Sequence, residues 1–246
     1  MSIKKYIPNA ITSMNLFCGV LAVTCAFEGM LQAAALFIIG GAVFDFFDGF
    51  AARALGVSGP MGKELDSLAD NISFGLAPAA IYSAYMRWAL TGSLTTPLAD
   101  MEARQVVIVA APLILAVFAG LRLAKFNIDE RQTESFLGLT TTATGLFTAS
   151  LFWMMPGHEE LFARVLSPAV VLLMVAVFCV LLVSEIPMFS LKVKHWTWAG
   201  NQLKVILLVV GLVSIVFMGL GGISVTILLY TVFSIVRSLA ASAIKK

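Results

Sequence analysis

Asp45-Phe46-Phe47-Asp48-Gly49-Phe50-Ala51-Ala52-Arg53, eight further residues, and then Gly62-x3-Asp66-x3-Asp70 set four carboxylates inside chain that otherwise reads as bilayer-spanning helix. An ionised carboxylate at membrane depth costs several kcal/mol unless something compensates it, so intramembrane acids mark an ion or substrate site by default. Residues three or four apart share one face of a helix, which pairs Asp45 with Asp48 and Asp66 with Asp70. Two such pairs on consecutive helices can converge on one point. Four carboxylates there cannot all stay ionised without cations, and an oxygen-only donor set suits Mg²⁺ or Mn²⁺ rather than zinc or copper. The economical reading is a divalent-metal site, with one or two ions.

Gly49 and Ala52 lie on the same side as the aspartates, and Gly62 is read as opening the turn to the second pair. Small residues there lay backbone bare where a bulky ligand must come close. An acidic cluster beside an open groove suggests a phosphate-bearing substrate.

Composition supports a membrane protein. Of 246 residues, 60% are hydrophobic and 12% charged, too little polar surface for a soluble globule of that size. Reading apolar runs of about 17 to 25 residues as spans predicts an all-α integral membrane protein with eight of them, over 9–28, 31–55, 66–89, 105–126, 139–156, 162–184, 203–219 and 222–242. With both termini cytoplasmic, all 16 Lys and Arg except Arg87, Arg104 and Arg164 fall on the cytoplasmic side, as the positive-inside rule requires. The acidic cluster is then expected near the cytoplasmic face of the cell (inner) membrane. Residues 1–184 read as a six-helix core, and 185–246 as an interfacial connector followed by two more spans.

Other features have plainer readings. A net charge of +2 spread over loops facing anionic head groups gives no sign of nucleic-acid binding. Cys18, Cys25 and Cys179 fall inside spans with no CxxC spacing and read as small apolar fillers. The first apolar stretch lacks an Ala-x-Ala pattern and reads as a retained helix. The tryptophans sit near span ends, as an aromatic belt does.

Three further clusters bear on the site. Thr12, Asn15 and Gly19 form one polar, small-residue stripe, either helix-packing glue or a wall of the substrate site. Gly75 and Pro78 are expected to loosen or bend the third span about one to two turns beyond Asp70. Arg122-Leu-Ala-Lys125-Phe-Asn127 ends the fourth span on the side of the aspartates. Its charge reads as an insertion stop signal, yet Arg122 or Lys125 could supply the cation that a substrate carboxylate needs.

The motif D-x2-D-G-x2-A-R-x8-G-x3-D-x3-D, complete here, resembles the signature of the CDP-alcohol phosphatidyltransferases. Pro8-Asn9, Asp66-Ser-Leu-Ala-Asp70-Asn71-Ile-Ser73-Phe74-Gly75-Leu-Ala-Pro78 and the Arg122 cluster look like the serine-using branch, whereas glycerophosphate-using members place lysine where Asn71 stands. Two positions depart from that branch: Lys125 stands where arginine is common, and Thr140 where proline is.

The resemblance implies transfer of a phosphatidyl group from CDP-diacylglycerol to L-serine by a homodimer among membrane lipids. Two divalent ions would be held by Asp45, Asp48, Asp66 and Asp70, with Asp70 as general base. Gly49, Ala52, Arg53, Gly62, Thr12 and Asn15 would line the CDP-diacylglycerol site, and Arg122, Lys125 and Ser73 are candidates for the serine site. Another acceptor, such as glycerol 3-phosphate or an inositol phosphate, is the nearest alternative. A cation transporter is the alternative of another class, opposed by the clustering of all four acids within positions 45–70.

Overall fold

Long apolar runs punctuated by glycine and proline form helices joined by short turns. A computed structural model describes residues 4, 6–57, 59–129, 137–188 and 202–244, and it is all-α. In chain order the helices are α1 (Tyr6–Phe27), α2 (Leu31–Leu55), α3 (Pro60–Asp70), α4 (Ala77–Thr91), α5 (Ala103–Ala110), α6 (Ile114–Ile128), α7 (Thr141–Trp153), α8 (Glu159–Val165), α9 (Pro168–Val183), α10 (Gln202–Met218) and α11 (Gly222–Ile244). A π-helical turn, Asn71–Leu76, carries α3 into α4 without a break in the helical rod.

The centre of the bundle is α4. Every residue from Ala77 to Arg87 is buried, as befits a helix surrounded by others. Tyr82, Tyr85, Phe152 and Phe162 form its aromatic core, with ring centroids 5.1 to 6.4 Å apart. Each buried phenol finds a partner, as buried hydroxyls must. Thr148 Oγ1 donates to Tyr82 Oη at 3.1 Å, and Tyr85 Oη lies 3.0 and 2.9 Å from the carbonyls of Phe162 and Leu166. That second contact holds the bend between α8 and α9, where Pro168 starts a new helix and the axis turns by 71°.

The spans differ from the sequence expectation. Among the described residues, four helical stretches are long and apolar enough to cross a bilayer: Tyr6–Phe27, Leu31–Leu55, Ala103–Ile128 and Gln202–Ala240. The bent α8–α9 pair adds a fifth if it is one span. The structure therefore supports an all-α membrane protein, without by itself supporting eight crossings or the side on which the termini lie. The predicted span 66–89 lies in a rod whose beginning carries Lys63, Glu64, Asp66 and Asp70, which lowers its apolarity. The predicted span 139–156 yields only 13 residues of α7, short of the roughly 20 that a straight crossing needs. Gln202–Ala240 turns back on itself at Gly219–Gly221, because Gly211 packs against Thr226 across the turn. Ser150 of α7 holds that turn, with Oγ donating toward the carbonyls of Leu220 and Gly221 at 2.6 and 3.0 Å and accepting from the Ser224 amide at 2.8 Å. Most of the proposed connector, 189–201, with His195, Trp196 and Trp198, lies outside the described residues.

Where Gly75 and Pro78 are expected to loosen the helix, it takes a π turn that begins immediately after Asp70. Three helices grip it. A Cβ on Gly19 of α1 would lie 2.9 Å from the Ser73 backbone, one on Gly145 of α7 would lie 3.1 Å from the Phe74 Cα, and one on Gly75 would lie 2.7 Å from Ala119 Cβ of α6. Real Cβ atoms essentially never come within 3.0 Å of a neighbouring heavy atom, so glycine at 19 and 75 is a condition of the packing. Gly19→Ala is expected to destabilise the folded protein by about 1–3 kcal/mol, the usual cost of overpacking, seen as a lowered thermal midpoint in detergent. An unchanged midpoint would show that α1 and the π turn are free to separate.

Candidate active site

The acidic motif folds as two helices meeting at one end of the bundle. α2 carries Asp45 and Asp48 in its last turns, and α3 carries Asp66 and Asp70. Asp45, Asp48 and Asp66 each offer an oxygen within 4.8 Å of the others. Asp48 is 7% exposed, and its Oδ2 is buried without a hydrogen-bond partner among the described residues. A buried carboxylate oxygen without a donor is costly unless a cation meets it. Three converging carboxylates, one of which has an oxygen without a partner among the described residues, could hold a hard divalent ion of the Mg²⁺ or Mn²⁺ kind.

Asp70 stands apart from this triad, though within electrostatic reach of Asp45 and Asp66. It is 9% exposed, and Asn15 Nδ2 of α1 donates to its Oδ1 at 3.2 Å. Asn15 is itself held. Its backbone carbonyl accepts from Ser73 Oγ at 2.9 Å, and its own Oδ1 rests against Gly41 of α2. One polar residue on α1 thereby joins α2, the π turn and the last aspartate of the motif.

A cavity of about 780 Å³ opens beside the triad. Thr12, Asp45, Asp48, Gly49, Ala52, Arg53, Gly62, Lys63 and Asp66 line it, with Phe46, Val57 and Met61 as its apolar wall. Of the residues singled out from sequence for the donor, Asn15 alone lies off this cavity, behind Asp70. Gly62 is inside α3 rather than in the turn before it, facing Asn9.

The acceptor candidates separate. Arg122 of α6 is 8% exposed, donates from Nη1 to Thr141 Oγ1 at 3.3 Å, and lies over the Phe126 ring. Its Nε is buried with no partner among the described residues, and the Asp70 carboxylate is within its electrostatic reach. Lys125 instead points to Glu185, with Nζ 3.0 Å from Oε1, and Ser73 is engaged with Asn15. Helical spacing places Lys125 near Arg122 but cannot foresee a carboxylate sixty positions later. Lys63 lines the cavity and donates from Nζ to the Asn127 carbonyl of α6 at 2.7 Å.

The family model for CDP-alcohol phosphatidyltransferase matches residues 5–199. The chain belongs to that family. It is therefore a phosphatidyltransferase, a membrane enzyme of phospholipid synthesis. Among curated relatives, it is 36% identical over 143 residues to the CDP-diacylglycerol--serine O-phosphatidyltransferase of Bacillus subtilis, across 58% of this chain and 72% of the relative. It is 33% identical over 175 residues to the archaetidylserine synthase of Methanothermobacter thermautotrophicus, across 69% and 67% of the two chains. The CDP-diacylglycerol--serine O-phosphatidyltransferase of Helicobacter pylori aligns over 94% of this chain and 90% of its own length at 27% identity.

Mn²⁺ added to the purified phosphatidyltransferase is expected to bind and give the altered EPR spectrum of a protein-held ion. Asp48→Asn should weaken that binding at least roughly tenfold, the lower end of what even an outer-shell change does to a metal site. Equal affinity in the variant would remove Asp48 from the ligand set.

Proposed function

We propose that this chain is a phosphatidylserine synthase, which transfers the phosphatidyl group of CDP-diacylglycerol to the hydroxyl of L-serine and releases CMP. The observation that carries the proposal is the acidic triad on the wall of the cavity, with a fourth, buried aspartate held behind it beside an arginine lacking a full set of partners. The names of the relatives favour serine as acceptor.

In this reading the cavity takes the CDP head. Gly49, Ala52 and Gly62 admit the nucleotide and its phosphates, Thr12 stands beside Asp48, and Arg53 pairs with a phosphate. Asp45, Asp48, Asp66 and Asp70 would share two Mg²⁺ or Mn²⁺ ions. Such ions neutralise the pyrophosphate and the charge that develops on the departing CMP. Asp70 accepts the proton of the serine hydroxyl as that oxygen attacks the phosphorus next to diacylglycerol. Asn15 holds the Asp70 carboxylate in place through its 3.2 Å bond. Arg122 takes the serine carboxylate with the guanidinium face left over from Thr141. Lys125, committed to Glu185, and Ser73, committed to Asn15, act by holding structure and do not touch serine in this scheme.

The proposal extends to setting. The enzyme crosses the cell (inner) membrane eight times with both termini and the active site toward the cytoplasm, where Arg53, Lys63 and Lys125 gather near the motif, consistent with the positive-inside rule. Residues 1–184 form the catalytic core, and the protein works as a homodimer.

Purified protein given CDP-diacylglycerol, Mn²⁺ and L-serine is expected to release CMP. Asp70→Asn should slow release by about 10²- to 10⁴-fold, the usual worth of a general base. Release with glycerol 3-phosphate and none with serine would keep the family and overturn the acceptor.

A further inference from the structure

α3 and the π turn run antiparallel to α6, and the contacts between them fall in a regular register. Lys63 and Ser67 meet Asn127, Asn71 lies against Gly120, and Gly75 lies against Ala116 and Ala119, a register that puts Asp70 about level with Arg122, within its electrostatic reach. The inner part of this interface is built from glycine and alanine. Small residues allow close approach, but they interlock less deeply than large ones and so do less to stop one helix sliding along the other.

The outer part is different. Lys63 Nζ donates to the Asn127 carbonyl at 2.7 Å, Asn127 Nδ2 donates to Ser67 Oγ at 2.8 Å, and Ser67 Oγ lies 3.2 Å from the Lys63 carbonyl that accepts from it. The triangle closes through both the backbone and the side chain of one residue. Asn127 is in the last turn of α6, where carbonyls have no partner within the helix and a cation is favoured by the helix dipole. Lys63 therefore caps α6 while also lining the cavity.

We propose that the Lys63–Asn127–Ser67 triangle is a latch that sets the axial register of α6 on α3 and so holds Arg122 opposite Asp70. Ser67 is one turn from Asp70 and next to Asp66, while Asn127 is five residues beyond Arg122, so any slip at the latch passes straight to the acceptor side. Asn127 and Ser67 are positioning residues, touching neither reactant. The acceptor consequence rests on the functional reading above; the register does not.

The test uses the full chain in detergent, with Cys18, Cys25 and Cys179 replaced by alanine and spin labels on cysteines at the exposed positions 68 and 121. Dipolar coupling between the labels reads the α3–α6 register. Asn127→Ala and Ser67→Ala are each expected to broaden or shift the interlabel distance, and Ser67→Thr, which keeps the hydroxyl, to preserve it. In unlabelled protein the same two alanine variants should lose at least about tenfold in kcat/KM for serine, given that a misplacement of about 1 Å can cost 100-fold. KM for CDP-diacylglycerol should stay within about twofold, and the double variant should be no worse than either single one, as members of one network behave. An unchanged interlabel distance in Asn127→Ala, or equal losses toward donor and acceptor, would overturn the latch. If the parent releases no CMP with serine, the functional reading fails, and the spin-label distances alone then decide the latch.

Discussion

Burying a carboxylate in an apolar bundle costs several kcal/mol unless donors or cations meet it, and the architecture of this enzyme follows from placing four of them at one end of its helices. Asp48 and Asp70 are buried, and Asp45 and Asp66 are partly so. The bundle answers the triad and Asp70 differently. Around Asp45, Asp48 and Asp66 it brings three carboxylates together and leaves an oxygen of Asp48 without a partner among the described residues, an arrangement that could hold a cation. Around Asp70 it supplies an amide donor from Asn15 and a positive charge from Arg122.

That placement depends on a helix that is not purely α. The π turn after Asp70 alters the register of the side chains beyond it, and such turns are often found beside functional sites. Here it is enclosed by α1, α6 and α7 at distances only small residues allow. Ser73, in the middle of the turn, bonds back to the carbonyl of the same Asn15 that donates to Asp70. The polar stripe on α1 therefore acts as packing surface and as part of the site wall at once, since Thr12 faces the cavity while Asn15 and Gly19 face the π turn.

The cavity and the surroundings of Asp70 are built by different sets of helices. α1, α2 and α3 line the cavity, whereas α3 and α6 bring Asp70 within electrostatic reach of Arg122. Because α3 is common to both, the two neighbourhoods are referred to one element. The hairpin of α10 and α11 is attached at the far side of α7 through Ser150 and lines no part of this cavity.

Much of this was legible in the chain. Apolar run lengths specify helices in a membrane, because lipid leaves backbone groups no other partner, and the i, i+3 and i, i+4 spacings of the aspartates specify which face each pair occupies. The eight-position motif specifies the family. Tertiary structure alone decided which faces meet. Spacing could not show that three aspartates group while Asp70 turns to Asn15, fifty-five positions away, or that Lys125 is taken by Glu185 and Lys63 by α6. Nor could it show that the helix beyond Asp70 takes a π turn, or that α7 stops after 13 residues. Sequence periodicity is a property of one helix, set by the backbone's own hydrogen bonds. The partner of a buried polar atom is instead set by packing between helices far apart in the chain, where the absence of a Cβ at Gly19 or Gly75 counts as much as any charged group.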